Sequence, residues 1–99
     1  MSGTLTVWGT INGDGSIAAG TGYSVTAQGN GEYIISFSPT FSGTPAIVGS
    51  QVLYGSGSEN TLDNVIFPYL NNGAATAKTG DSNGNSTNRA FSFIAMGLS

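Results

Sequence analysis

The chain lacks cysteine and histidine altogether among its 99 residues. Without cysteine there are no disulfides, no thiol nucleophile and no thiolate ligands for a zinc ion. Without histidine, the side chain that most often exchanges protons near neutral pH is also missing. The five carboxylates are interpreted as solvated charges, including Glu59 and Asp63, which lie near each other in sequence. The sequence therefore predicts a protein that is not an enzyme, with no cofactor and no metal.

Charged residues are also scarce. Only 7% of the residues are charged, against about 25% in an average soluble domain. Lys78 and Arg89 are the two basic residues, and the net charge is −3. A cationic stripe that could neutralise phosphates cannot be formed, which argues against nucleic acid and anionic lipid as partners. No apolar run reaches the roughly 20 residues of a membrane span, so no membrane insertion is predicted.

What the chain has in abundance is glycine, 16 residues in all, and short alternating apolar stretches. Apolar and polar residues alternate with period two, and turn signals such as Asn12-Gly13 and Asp14-Gly15 recur every eight to twelve residues. This pattern is typical of antiparallel strands. We predict one domain, residues 1–99, that is all-β: an antiparallel, jelly-roll-like β-sandwich of about eight short strands. The predicted strands are 4–11, 16–19, 23–28, 32–38, 46–54, 61–70, 74–79 and 89–97.

The alternation assigns one apolar face to the core of the sandwich. The predicted core residues are Leu5, Val7, Tyr23, Val25, Tyr33, Ile35, Phe37, Ile47, Val65, Phe67, Phe91 and Phe93.

Further apolar residues fall on the opposite faces of the same strands. These are Trp8, Ile34, Val48, Val52, Tyr54, Ile66, Leu70, Ile94 and Met96. An exposed patch of this size is uncommon on monomers, and a symmetric homo-oligomer would cover it. The alternative is that β-bulges shift the register and return some of these residues to the core. The oligomer interface is therefore predicted at Trp8, Ile34, Val48, Val52, Ile66, Leu70, Ile94 and Met96.

Several segments together resemble a known family. They are Gly9-Thr10-Ile11-Asn12, Asp14-Gly15-Ser16-Ile17-Ala18, Gly20-Thr21-Gly22-Tyr23-Ser24-Val25, Gly31-Glu32-Tyr33-Ile34-Ile35-Ser36-Phe37, Phe41-Ser42-Gly43-Thr44-Pro45-Ala46-Ile47-Val48 and Phe91-Ser92-Phe93-Ile94-Ala95-Met96-Gly97. This order resembles the small β-sandwich modules at the tips of phage tail-fibre and bacterial surface-fibre proteins. More distantly, it is similar in layout to complement-type and tumour-necrosis-factor-like jelly rolls and to H-type lectins.

The resemblance implies a trimeric, non-enzymatic receptor-binding or adhesive tip on an extracellular or virion surface. Its implied partners are other copies of the chain and a cell-surface glycan or protein receptor, or other virion subunits. A structural virion protein, such as a capsid decoration or cement subunit, and a free-standing lectin remain the alternatives. H-type lectins place an aromatic Trp strand near the C-terminus, where this chain has Phe93, so no sugar site is carried over.

Candidate ligand-binding residues combine aromatic side chains with polar loops, as carbohydrate recognition requires. They are Trp8, Tyr54, Tyr69, Asn60, Asp81, Asn83 and Asn85. Trp8 fits packing at an interface as well as a ligand platform. Asp81, Asn83 and Asn85 alternate as calcium ligands do, but the loop lacks the Gly and Glu of an EF-hand at the sixth and twelfth positions, which favours a polar hairpin loop.

Overall fold

The computed structural model describes residues 3–53 and 59–99, and eight strands make up its regular structure. No helix capable of crossing a membrane is found in these residues. The strands are β1 (Thr4–Ile11), β2 (Ile17–Thr21), β3 (Tyr23–Gly29), β4 (Glu32–Phe37), β5 (Ala46–Gln51), β6 (Asn64–Leu70), β7 (Ala74–Gly80) and β8 (Phe91–Leu98).

The strands form two antiparallel sheets of four, packed face to face. Sheet 1 has the order β2-β1-β8-β5, and sheet 2 has the order β3-β4-β7-β6. β8 is a central strand that pairs with β1 on one side and with β5 on the other. The predicted β-sandwich is thus confirmed.

Some strand ends differ from prediction. β5 stops at Gln51, before the predicted end, and β6 begins later than predicted, at Asn64. Leu53 has a φ of 62°, a left-handed conformation that is incompatible with continuing a strand.

The core lies between the sheets and follows the alternation of the sequence. Eight of the twelve predicted core residues are buried, and the other four, Leu5, Val25, Ile47 and Phe67, are partly buried and pack against them. Aromatic rings dominate: Tyr23 meets Phe93 edge to face, with ring centroids 5.0 Å apart. Phe41, from the β4–β5 loop, closes one end of the core and packs edge to face on Phe37 at 5.1 Å. The core prediction is therefore confirmed.

A β-bulge in β6 overturns one predicted position. Ile66 is opposite Lys78 and Tyr69 is opposite Thr76. Between these two pairs β6 advances by three residues, whereas β7 advances by only two. The extra residue, at Pro68, inverts the alternation beyond it. Leu70 consequently packs against the core, whereas Tyr69 points outward with 72% of its surface exposed. The assignment of Leu70 to an outer apolar face is wrong for this reason.

A buried ion pair closes the other end of the core. Arg89 Nη1 lies 3.3 Å from Asp63 Oδ2, and the two side chains are only 9% and 8% exposed. Arg89 also donates to Gln51 Oε1, while Gln51 Nε2 donates to the carbonyls of Asn64 and Gly80, both at 2.7 Å. Gln51 belongs to sheet 1 and its two acceptors to sheet 2, so this cluster ties the sheets together. Asp63 is therefore not the solvated charge that the sequence suggested.

Candidate functional site

Cross-strand rows of side chains define the outer face of sheet 1. Trp8 on β1 is opposite Ile94 on β8, and Ile94 is opposite Val48 on β5. Directly opposed side chains on one face of antiparallel strands contact one another. The next row towards the chain termini is Thr6, Met96 and Ala46, and Leu98 follows opposite Thr4. We call Trp8, Val48, Ile94, Met96 and Leu98 the apolar face of sheet 1; all five are exposed.

On the other side of Trp8 lies a row of hydroxyls. Thr10, Ser92 and Ser50 are opposite one another on the same three strands. The Thr10 and Ser92 hydroxyls are 2.7 Å apart and hydrogen-bonded. Together with Trp8, Val48 and Ile94 they line a shallow depression of about 490 Å³. An aromatic and aliphatic floor with hydroxyls along one edge can contact either an apolar protein surface or the weakly polar face of a sugar ring.

Glycines beneath this depression let the two sheets approach closely. Gly9 and Gly49 flank Phe93 in the row that points into the core. A Cβ on Gly9 would overlap the Tyr23 ring, and a Cβ on Gly49 would come within 2.8 Å of the Phe67 ring. The Tyr23 and Phe67 rings thus occupy the space that side chains at Gly9 and Gly49 would need.

The second surface is the loop end, formed by residues 12–16, 30–31, 52–53, 59–63 and 81–90. The strand registers bring these segments to the same end of the sandwich. Hydrogen bonds join neighbouring loops: Asn88 Oδ1 accepts from the Gly31 N–H at 2.7 Å, and the Tyr33 hydroxyl donates to the Gly13 carbonyl at 2.7 Å. Thr79 Oγ1 donates to the Thr87 carbonyl at 2.6 Å. These bonds give the loop end a fixed shape.

Within the loop end, most of the predicted ligand-binding groups form hydrogen bonds with residues of their own loops. Asp81 Oδ1 accepts the N–H groups of Asn83 and Asn85, each at 2.9 Å. The bond from the Asn85 N–H is the main reason that the pKa of Asp81 lies below its ordinary value. Asn60 Oδ1 accepts the Leu62 N–H, and the Asn60 N–H donates to Asp63 Oδ2, both at 2.9 Å. The Asn83 side chain, by contrast, is exposed and takes no part in these contacts.

The structure does not bring the predicted ligand-binding residues into one site. Trp8 lies in the middle of the outer face of sheet 1, whereas Tyr69 lies on the outer face of sheet 2. Asn60, Asp81, Asn83 and Asn85 belong to the loop end, and Tyr54 lies outside the described residues. A site that combines Trp8 with Tyr69 is therefore excluded by the geometry. Among the described residues, no group of three or more acidic side chains could hold a metal ion.

The predicted interface residues are divided in the same way. Trp8, Val48, Ile94 and Met96 share the outer face of sheet 1, whereas Ile34 and Ile66 point outward from sheet 2. Val52 is half-buried beyond the end of β5, where its N–H donates to the Ala90 carbonyl. The single continuous patch expected from the sequence is thus two separate surfaces on opposite sides of the sandwich.

Three features of these surfaces were not predicted from the sequence. Leu98 extends the apolar face, although its strand was expected to end at Gly97. The Thr10–Ser92 bond and the Asn88–Gly31 bond join residues 82 and 57 positions apart. Contacts of that separation leave no signal in local alternation.

No protein-family model matches this chain, and no curated protein or solved structure matches it significantly.

Proposed function

We propose that the protein is a non-enzymatic binding module, the receptor-binding or adhesive tip of a phage or bacterial fibre, working as a homo-oligomer on a virion or cell surface. The observation that carries the proposal is the division of its surface. An apolar, uncharged sheet face suits contact with other subunits, and a polar loop end suits contact with a receptor. Binding residues are commonly carried on loops held by a rigid sandwich, and the cross-loop bonds at Asn88 and Tyr33 provide that rigidity.

The proposed ligand is a cell-surface glycan or protein receptor, bound at the loop end. Exposed amides such as Asn83 and backbone groups of residues 81–86 supply donors and acceptors for such a ligand. A trimer is the oligomer that the family resemblance implies. Nucleic acid is a poor partner, because one of the two cationic side chains, Arg89, is buried against Asp63.

Binding of the labelled protein to whole bacterial cells and to a glycan array tests this proposal. Asn83→Ala removes an exposed amide without removing the bonds that hold its loop, so we expect weaker binding with unchanged stability. Thr44→Ala is the matched control, since Thr44 is exposed in the β4–β5 loop at the opposite end. No binding to any cell or glycan would contradict the proposal, as would equal loss of binding in both variants.

A structural virion subunit is the second candidate, and one observation favours it. The carboxylate of Asp81 and the side chain of Asn60 are engaged within their own loops, while the five apolar side chains on the outer face of sheet 1 are exposed. Incorporation of the protein into particles, together with no binding to the cells or the glycan array, would support this role over the first.

Trp8→Ala separates the two uses of the apolar face. Lost ligand binding with the oligomer intact would make Trp8 a ligand platform. Dissociation of the oligomer would make it an interface residue.

A further inference from the structure

The charged side chains of this protein are confined to part of its surface. Glu32 and Lys78 are opposite each other on the outer face of sheet 2. The remaining five belong to the loop end: Asp14, Glu59, Asp63, Asp81 and Arg89. Among the described residues, which include all seven charged ones, none on the outer face of sheet 1 or at the end opposite the loops carries a charged side chain.

The outer face of sheet 1 is built from two kinds of residue. Apolar side chains occupy its centre, and small hydroxyl or methyl side chains surround them: Thr4, Thr6, Thr10, Ala19, Thr21, Ala46, Ser50 and Ser92. Charged side chains, and lysine in particular, hinder unwanted association of sheets, a device that natural proteins use on exposed edge strands. Such protection is absent from this face and present on sheet 2, where Lys78 lies beside Ile66.

We infer that the outer face of sheet 1 is where copies of this chain contact one another, an inference that rests on the homo-oligomer of the proposed function. The charge distribution argues for a second copy as the occupant. Each chain carries a net charge of −3, so copies must meet where charge is lacking if they are to avoid like-charge repulsion. The outer face of sheet 1 lacks charge in every copy, so two copies can meet there without placing like charges together.

The composition of the face agrees with this occupant. Interface centres are enriched in Trp and Met and depleted in charge. Here Trp8 is opposite Ile94 and Met96 is two residues further along β8, and no described residue of the face is charged. Strand alternation turns the row of Gly9, Phe93 and Gly49 towards sheet 2 and therefore directs Trp8, Ile94 and Val48 outward. Ile34, Ile66 and Leu70 are not part of this interface.

Two isoleucines provide a matched test. Ile94 on sheet 1 and Ile66 on sheet 2 are 50% and 53% exposed, and both point outward from a strand. Ile94→Asp places a charge in the proposed interface, and Ile66→Asp places the same charge on the opposite side. Light scattering after gel filtration should give the wild type and Ile66→Asp a mass that is a multiple of 10.0 kDa, and Ile94→Asp the mass of one chain.

A second substitution separates interface disruption from added negative charge or misfolding. Val48→Lys introduces a positive charge on the same row and should also yield the monomer. Circular dichroism and urea unfolding show whether each variant is folded. If Ile94→Asp does not fold, Val48→Lys carries the test.

The single tryptophan supplies an independent readout, because Trp8 lies at the centre of the face. Dilution of the wild type should shift Trp8 emission to longer wavelength as copies separate, and Ile94→Asp should show the long-wavelength emission at every concentration.

A wild type that is monomeric at all concentrations would overturn the inference, while leaving the receptor-binding test at the loop end unaffected. An oligomer that survives Ile94→Asp and Val48→Lys, or that is lost in Ile66→Asp alone, would also overturn it.

Discussion

Arg89 and Asp63 form an ion pair at the loop end of the core, with Nη1 and Oδ2 3.3 Å apart and both side chains at least nine-tenths buried. The pair joins the residue that precedes β6 to the segment that leads into β8, and through Gln51 it reaches both sheets. The only arginine of the chain thus has a structural role in closing the core.

Removing one partner of this pair should be strongly destabilising. In Arg89→Met the Asp63 carboxylate stays buried without its cation, and we expect a loss of about 3 kcal/mol in the free energy of unfolding. Urea denaturation measures it. The double variant Arg89→Met/Asp63→Asn should be more stable than the single variant, because no buried charge is left unpaired. Lys78→Met is the control: Lys78 is exposed, so the change should stay within about 0.5 kcal/mol. Equal stability losses in the two single variants would contradict this account.

Gly9 should not tolerate a side chain. Gly9→Ala puts a Cβ where the Tyr23 ring packs, and overpacking of this kind costs about 1–3 kcal/mol. Gly43→Ala is the matched control, since apart from its chain neighbours no heavy atom of the described residues lies within 4 Å of the added Cβ, and its effect should stay below about 0.5 kcal/mol. Thermal and urea unfolding of the two variants test the comparison. A Gly9→Ala protein as stable as Gly43→Ala would show that Tyr23 does not pack there.

The bulge at Pro68 predicts opposite outcomes at two adjacent residues. Leu70→Ala removes a side chain that packs on the core, and because Leu70 is only partly buried we expect a loss of about 1–2 kcal/mol. Tyr69→Ala removes a ring that is 72% exposed and should change stability by less than about 0.5 kcal/mol. The reverse order of the two losses in urea denaturation would mean that β6 continues without the bulge.

Acid should weaken the loop that contains Asp81. Hydrogen bonds from its own loop, led by the Asn85 N–H, hold the pKa of Asp81 below the ordinary 3.8 in the folded protein. The unfolded chain therefore takes up the proton first as the pH falls. The stability that these bonds contribute is fully present above about pH 4 and is lost as the pH falls through the folded pKa. Asp81→Asn should flatten the acid limb of the stability profile, and Asn83→Ala should leave it unchanged. NMR titration of the carboxyl carbons measures the pKa directly, and a value at or above 3.8 would contradict the prediction.

Alkali should destabilise the protein through Tyr33. Burial raises the pKa of Tyr33 above its ordinary 10.0, so above that pH the unfolded chain loses a proton that the folded chain retains. Stability is fully present below pH 10 and declines as the pH rises through the folded pKa. Tyr33→Phe should flatten this decline and should cost about 1 kcal/mol at neutral pH, since the hydroxyl donates to Gly13 at 2.7 Å. Absorbance of the tyrosinate and urea unfolding at each pH test both effects.

Alternation along the chain was sufficient to predict the sandwich and its core. All twelve core residues predicted from the sequence are buried or pack on the core, because each strand has one face towards the other sheet and the period of two selects that face. The turn residues marked the ends of the strands, because their effect on the backbone is also local. The alternation is interrupted at the bulge around Pro68, and there the prediction from the sequence misplaced Leu70. A bulge is set by the pairing of β6 with β7, which the local pattern does not show.

The sequence by itself determined that the chain is an all-β sandwich, scarce in charge and lacking cysteine and histidine, with more apolar residues than one core can cover. Only the tertiary structure decided how those surplus residues are distributed. It placed Trp8, Val48, Ile94 and Met96 on one face and Ile34 and Ile66 on the other, and it paired Arg89 with Asp63. The physical reason is that alternation tells which side of its own strand a residue occupies. Which strands lie side by side depends on pairing between segments far apart in the chain.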